Sequence, residues 1–142
     1  MTGAGIVRAS WTGTVVFAAA TVAGVVAPHP LAWLGFAVSL GLFVAGCIVF
    51  VWAFALAIAR SRSDEIAVSS LYLLSGAPPA VRTQLFGSLA VEVIVAFGTA
   101  AARPYTIAAT AILAPMYALG LCGLWAARYG TFPPRRPTPK RR

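Results

Sequence analysis

From Ala32 to Ala59 the chain runs for 28 residues without a single charge. As a helix this stretch reaches about 42 Å, longer than the roughly 30 Å hydrocarbon core of a bilayer, so it must tilt or protrude. Three further apolar runs accompany it, at about Ser10–Ala27, Arg82–Ala102 and Thr106–Ala127. Irregular backbone and open sheet edges are excluded from lipid, whereas a helix satisfies its own amides. The expected fold class is therefore all-α, an integral membrane bundle of four transmembrane helices. Residues 1–128 form the transmembrane domain, and 129–142 a basic, Pro-rich tail.

Composition agrees. With 60% hydrophobic and only 10% charged residues over 142 positions, the chain is too apolar for a soluble domain. The first run also has signal-peptide features, with Arg8 ahead of an apolar core and small residues in "AGVVA". Pro28 would directly follow such a cut, so the run is read as a retained span that ends at Pro28-His29-Pro30.

The net charge of +8 does not point to nucleic acid, because the basic residues are not spread over a folded surface. Arg8, Arg60, Arg62, Arg82 and the six residues Arg128, Arg135, Arg136, Lys140, Arg141 and Arg142 fall on one side of a four-span layout, and only Arg103 on the other. By the positive-inside rule both termini are expected in the cytoplasm of a bacterial membrane. Trp11 and Trp125 then lie at the inner interface, Trp33 and Tyr105 at the outer one. The six tail residues are candidate contacts for anionic lipid headgroups or for an acidic partner, while fixing topology is their simplest role.

The longest connection, "RSRSDEIAVSSLYLLSGAPPAVR", predicts a short helix. Ser61 or Ser63 is its expected cap, with Asp64 and Glu65 in its first turn. Ile66, Val68, Leu71, Tyr72 and Leu74 supply an apolar face. Such a helix either lies in the membrane interface or packs over the bundle mouth.

Glu92 stands alone in the third span, ten residues after Arg82 and eleven before Arg103. Keeping it ionised at that depth costs about 2.5–3.5 kcal/mol, so it is expected to be neutral at rest. At 100° per residue Gln84, Ser88, Glu92, Thr99 and Arg103 fall within about 100° of one another, a stripe that must face protein. Tyr117 lies at matching depth on the fourth span, and Pro115 frees the Ala111 carbonyl there. The expected polar cluster is Glu92, Tyr117, Ser88 and Thr99, with Thr21 and Ser39 as contributors. Interhelical adhesion and a proton-linked site are the two roles open to it.

Other chemistry is not indicated. His29 has no second ligand nearby, and no catalytic triad, phosphate loop or carboxylate pair is present, so neither enzyme activity nor a metal or cofactor is expected. Cys47 and Cys122 lie at different depths and are expected to stay thiols. Gly35-xxx-Ser39, Ala37-xxx-Gly41-xxx-Ala45 and Ala20-xxx-Gly24 have the spacing of close helix contacts.

Four short spans with one acid invite comparison with the small multidrug-resistance transporters. Those carry their glutamate in the first span and show little charge bias, so their substrate role is not transferred to Glu92. "DEIAVSSLYLLSGAPPAVR", the third span and "ARYGTFPPR" resemble small four-span proteins of unknown function from high-GC actinobacteria, over about half the chain. That resemblance implies the fold and no activity. The expected function is a non-enzymatic accessory or scaffold subunit whose partners are membrane lipids and another membrane protein or a second copy. The alternative is a small proton-coupled transporter using Glu92.

Overall fold

A computed structural model describes residues 3–136; Lys140, Arg141 and Arg142 of the expected tail contacts lie outside them. The structure is all-α. Its elements are α1 (Gly3–Val26), α2 (Pro28–Arg60), the short α3 (Val68–Tyr72), α4 (Pro79–Ala102), a 3-10 segment (Ile107–Leu113) and α5 (Met116–Tyr129). Helices α1, α2, α4 and the combined unit Ile107–Tyr129 are each long and apolar enough to cross a membrane. They form a packed bundle in which α2 lies against α5 and α1, and α4 against α1 and the 3-10 segment.

The prolines at 28 and 30 do not open a turn. Only Ala27 separates α1 from α2, and Pro28 begins α2. A proline in the first helical turn surrenders an amide that has no partner there anyway. His29 consequently sits in the first turn of α2 rather than in a loop. Pro115 instead breaks the last span. The 3-10 turns before it use the Ala111 carbonyl as acceptor for the Ala114 amide, 3.1 Å away, so that oxygen is not free as expected.

Two kinds of contact close the bundle. Between α2 and α5 the backbones touch, because a Cβ on Gly46 would meet the Met116 and Tyr117 backbone, and one on Gly120 would sit 2.7 Å from the Gly46 carbonyl. Gly24 and Gly35 do the same more loosely between α1 and α2. Gly41, in contrast, has open space around its α-carbon.

Both ends of the described chain lie at one end of the bundle, where Gly3 approaches Trp125 and Gly76 approaches Thr131. Trp125 is thereby buried at this end. Arg8, Arg60, Arg62, Arg82, Arg128, Arg135 and Arg136 gather at this end. Arg60 organises it: its guanidinium donates to the Ala127 and Gly130 carbonyls at the end of α5 (2.7 and 3.2 Å) and to Asp64 (2.9 Å). Asp64 is thus an ion-pair partner and not part of a helix's first turn, and neither Ser61 nor Ser63 caps α3, whose N-cap is Ala67. Helix α3 starts only at Val68, where the Ser70 hydroxyl receives the Ala67 amide.

Helix α3 packs over the bundle, burying Leu71 and Leu74. It ends in a Schellman turn, with the Ser75 amide on the Ser70 carbonyl and the Leu74 amide on the Leu71 carbonyl. Leu74 holds the left-handed position that favours glycine (φ 54°), and its complete burial compensates the backbone strain. The first half of the tail is docked as well. Thr131, Glu65 and Arg135 amides bond the carbonyls of Gly76, Pro133 and Ser63, which lays 131–135 along the 61–76 loop.

Candidate functional site

Helices α1 and α4 both start at the basic end, so they run parallel. Along the buried seam their facing residues differ by 78 positions. Ser10 and Ser88 share a hydrogen bond between hydroxyls, Thr14 meets Glu92, and the Arg103 guanidinium donates to the Val25 carbonyl at 3.0 Å. Thr21 and Thr99 occupy the same register and both are buried. The result is a polar seam down an apolar bundle. Trp11 adds one contact at its basic end, donating from Nε1 to Gln84 Oε1 at 2.9 Å.

The stripe Gln84, Ser88, Glu92, Thr99, Arg103 is therefore turned onto α1. The expected Glu92–Tyr117 bond does not form: the Tyr117 hydroxyl donates to the Ala9 carbonyl at 3.1 Å, in space that Gly13 leaves on α1. Thr21 and Ser39 bond carbonyls of their own helices, Phe17 at 2.8 Å and Gly35 at 2.7 Å, and do not join Glu92.

Glu92 has no solvent exposure. Its Oε1 lies 2.9 Å from the Thr14 hydroxyl, which is also 3.0 Å from the Ser10 carbonyl. The Ala118 amide, in the first turn of α5, faces the carboxyl too. Oε2 nevertheless has no hydrogen-bond partner among the described residues. A threonine hydroxyl carries one hydrogen and can accept others. It can donate to an ionised Glu92, or accept from a neutral one while turning its own hydrogen to Ser10. The Thr14–Glu92 hydrogen bond can thus form in either protonation state through one rotation about a single bond.

Thr14 and Ser10 were not among the expected site residues. A signal for them exists in the sequence, because "SWTGTVVFAAAT" (10–21) and "SLAVEVIVAFGT" (88–99) repeat Ser, Thr or Glu, and Thr at identical spacing. Matching polar spacing on two spans is what an in-register parallel pair requires.

Of the expected tail contacts, Arg128 lies over the Trp52 ring, 4.7 Å from its centroid, and Arg135 donates to the Ser61 carbonyl at 2.9 Å. Arg136 is exposed. Outside the spans, burial pushes the Tyr72 phenol above its usual value of 10.0, and its hydroxyl donates to the Phe50 carbonyl at 3.1 Å. Cys47 and Cys122 are both free thiols. No cluster of His, Cys, Asp and Glu suited to a metal occurs among the described residues.

In comparisons with protein families, curated proteins and solved structures, the chain matches none.

Proposed function

We propose that this protein is a non-enzymatic accessory or scaffold subunit of the bacterial cytoplasmic membrane, with both termini in the cytoplasm, that binds other membrane components. The observation carrying this reading is the outward face of α2. This helix has 33 residues, about 50 Å of rise, and turns Leu34, Leu40, Val44, Ile48 and Val51 away from its own bundle. Gly41 lies open within that face, so a second helix could approach its backbone closely. Topology rests on the concentration of arginines at one end against Arg103 at the other. The likeness of "DEIAVSSLYLLSGAPPAVR" and "ARYGTFPPR" to small four-span actinobacterial proteins agrees with this fold and adds no activity.

Cysteine cross-linking in native membranes tests it, with Cys47 and Cys122 replaced by alanine. Gly41→Cys should give one discrete adduct with a copy of the chain or with another membrane protein. A Cys on α4, at Phe97, should give none. Equal, diffuse labelling at both positions would overturn the reading.

One observation favours a second reading, a small proton-coupled transporter. Glu92 Oε2 is a sealed acid oxygen with no hydrogen-bond partner among the described residues, and the Thr14 hydroxyl on Oε1 can bond the carboxyl in either protonation state. Glutamine keeps the donor and acceptor but cannot release the proton. Glu92→Gln should leave a scaffold's assembly intact, whereas it should abolish pH-driven flux in a transporter.

A further inference from the structure

The polar seam between α1 and α4 opens at the basic end into a groove of about 330 Å³, lined by Ala4, Val7 and Arg8 of α1 and Ala80, Val81 and Gln84 of α4. That is the lower range of small-ligand pockets. Its walls are short and apolar. Its lip carries one exposed guanidinium that has no ion-pair partner among the described residues: the ion pair found there joins Arg60 to Asp64, and Glu92 is sealed inside the bundle. Gln84 gives its Oε1 to Trp11, which directs the amide's two N–H donors elsewhere.

We propose that this groove binds one anionic phospholipid, with the phosphate held by the Arg8 guanidinium and the Gln84 amide N–H groups, and the glycerol and upper acyl carbons against Ala4, Val7, Ala80 and Val81. The proposal rests on the basic end lying at a membrane surface. A soluble phosphate would gain nothing from the apolar walls. A zwitterionic lipid would bring its own cation toward an unpaired arginine, whereas a singly charged phosphodiester complements it. The Trp11 indole, one turn below Arg8 and tied to α4, belongs at the level where headgroup gives way to chain.

Native mass spectrometry of the full chain, released from detergent with phosphatidylglycerol or phosphatidylcholine of the same acyl chains, tests this. The wild type should retain a single phosphatidylglycerol in preference to phosphatidylcholine. Arg8→Gln should weaken that retention about fivefold, the effect of one basic residue at a membrane surface, and Arg8→Lys should restore most of it. Ala80→Trp, at an exposed position, should fill the groove and abolish retention with every charge kept. Equal retention of the two lipids would overturn the site. So would full retention in Arg8→Gln and Ala80→Trp with loss in Arg135→Gln/Arg136→Gln, which would place the lipid on the tail. Failure of the membrane reading shows separately, as a chain that stays in aqueous solution without detergent, and the site falls with it.

Discussion

The two parallel seams of the bundle hold together by opposite means. Between α1 and α4 the contact is made by side chains, Ser10 on Ser88 and Thr14 on Glu92. Between α2 and α5 it is made by their absence, since Gly46 and Gly120 let backbone touch backbone. Lipid tails are as apolar as leucine, so burial alone gives helices in a bilayer little reason to associate. What remains is hydrogen bonding and close van der Waals packing, and this chain uses one on each seam. The hydrogen-bonded seam tolerates small shifts and can change protonation. The glycine seam cannot move without collision.

The largest expected effect follows from that rigidity. Gly46→Leu should drive a side chain into the Met116–Tyr117 backbone, which has no rotamer to escape through, and should cost about 3 kcal/mol or more. Gly41→Leu on the same helix meets open space and should change stability little. Reversible unfolding of both variants in mixed detergent and SDS measures the difference. Equal stability of the two would mean that the α2–α5 contact is not glycine-limited.

On the other seam, Glu92→Ala should cost about 2 kcal/mol by the same assay, because it deletes buried volume and the hydrogen bond that ties Thr14 of α1 to α4. Glu92→Gln should recover most of this. A glutamine as damaging as alanine would show that the exact carboxyl geometry, and not hydrogen-bond adhesion, holds α1 to α4. Smaller again is the Ser10–Ser88 pair, for which a double-mutant cycle to alanine should give a coupling of about 0.6–1.7 kcal/mol. A coupling of zero would mean that the repeated spacing places these hydroxyls together without making them cohere.

How far the sequence disclosed these seams differs in the same way. The four spans were legible from hydropathy, since charge-free length is a property of each segment alone. The polar stripe of α4 was legible from helical phase. Its partner was not, because depth from the membrane edge aligns Glu92 equally with residues on every other span, and Tyr117 is one of them. Only the shared spacing of Ser10, Thr14 and Thr21 with Ser88, Glu92 and Thr99 selects α1, and that pattern joins distant segments. The glycine seam is less legible still. Gly35, Gly41 and Gly46 look alike as letters, yet one faces α1, one faces outward and one meets α5. At the basic end, capping rules favour Ser61 or Ser63 as a helix cap with Asp64 and Glu65 in the first turn, but Arg60 gathers Asp64 and the end of α5 to itself, a long-range contact that no local rule contains.

Tyr72 tests whether the glycine seam extends beyond the spans. Its ring fills the space left by Gly123 on α5 and stacks on Phe50 of α2 at 4.3 Å, and its hydroxyl donates to the Phe50 carbonyl. Tyr72→Phe keeps the ring and removes only the bond, so it should cost about 0.5 kcal/mol, the lower limit for a partly exposed hydrogen bond. The same bond has a pH signature. Burial raises the phenol's proton affinity in the folded state above its unfolded value of 10.0. The unfolded chain therefore loses this proton first, and the Tyr72 contribution, complete below pH 10, should fade as pH climbs through the higher folded value. Unfolding followed between pH 9 and pH 11 should show the wild type falling toward Tyr72→Phe. Two curves that stay parallel across that interval would leave α3 resting on the bundle through its leucines alone.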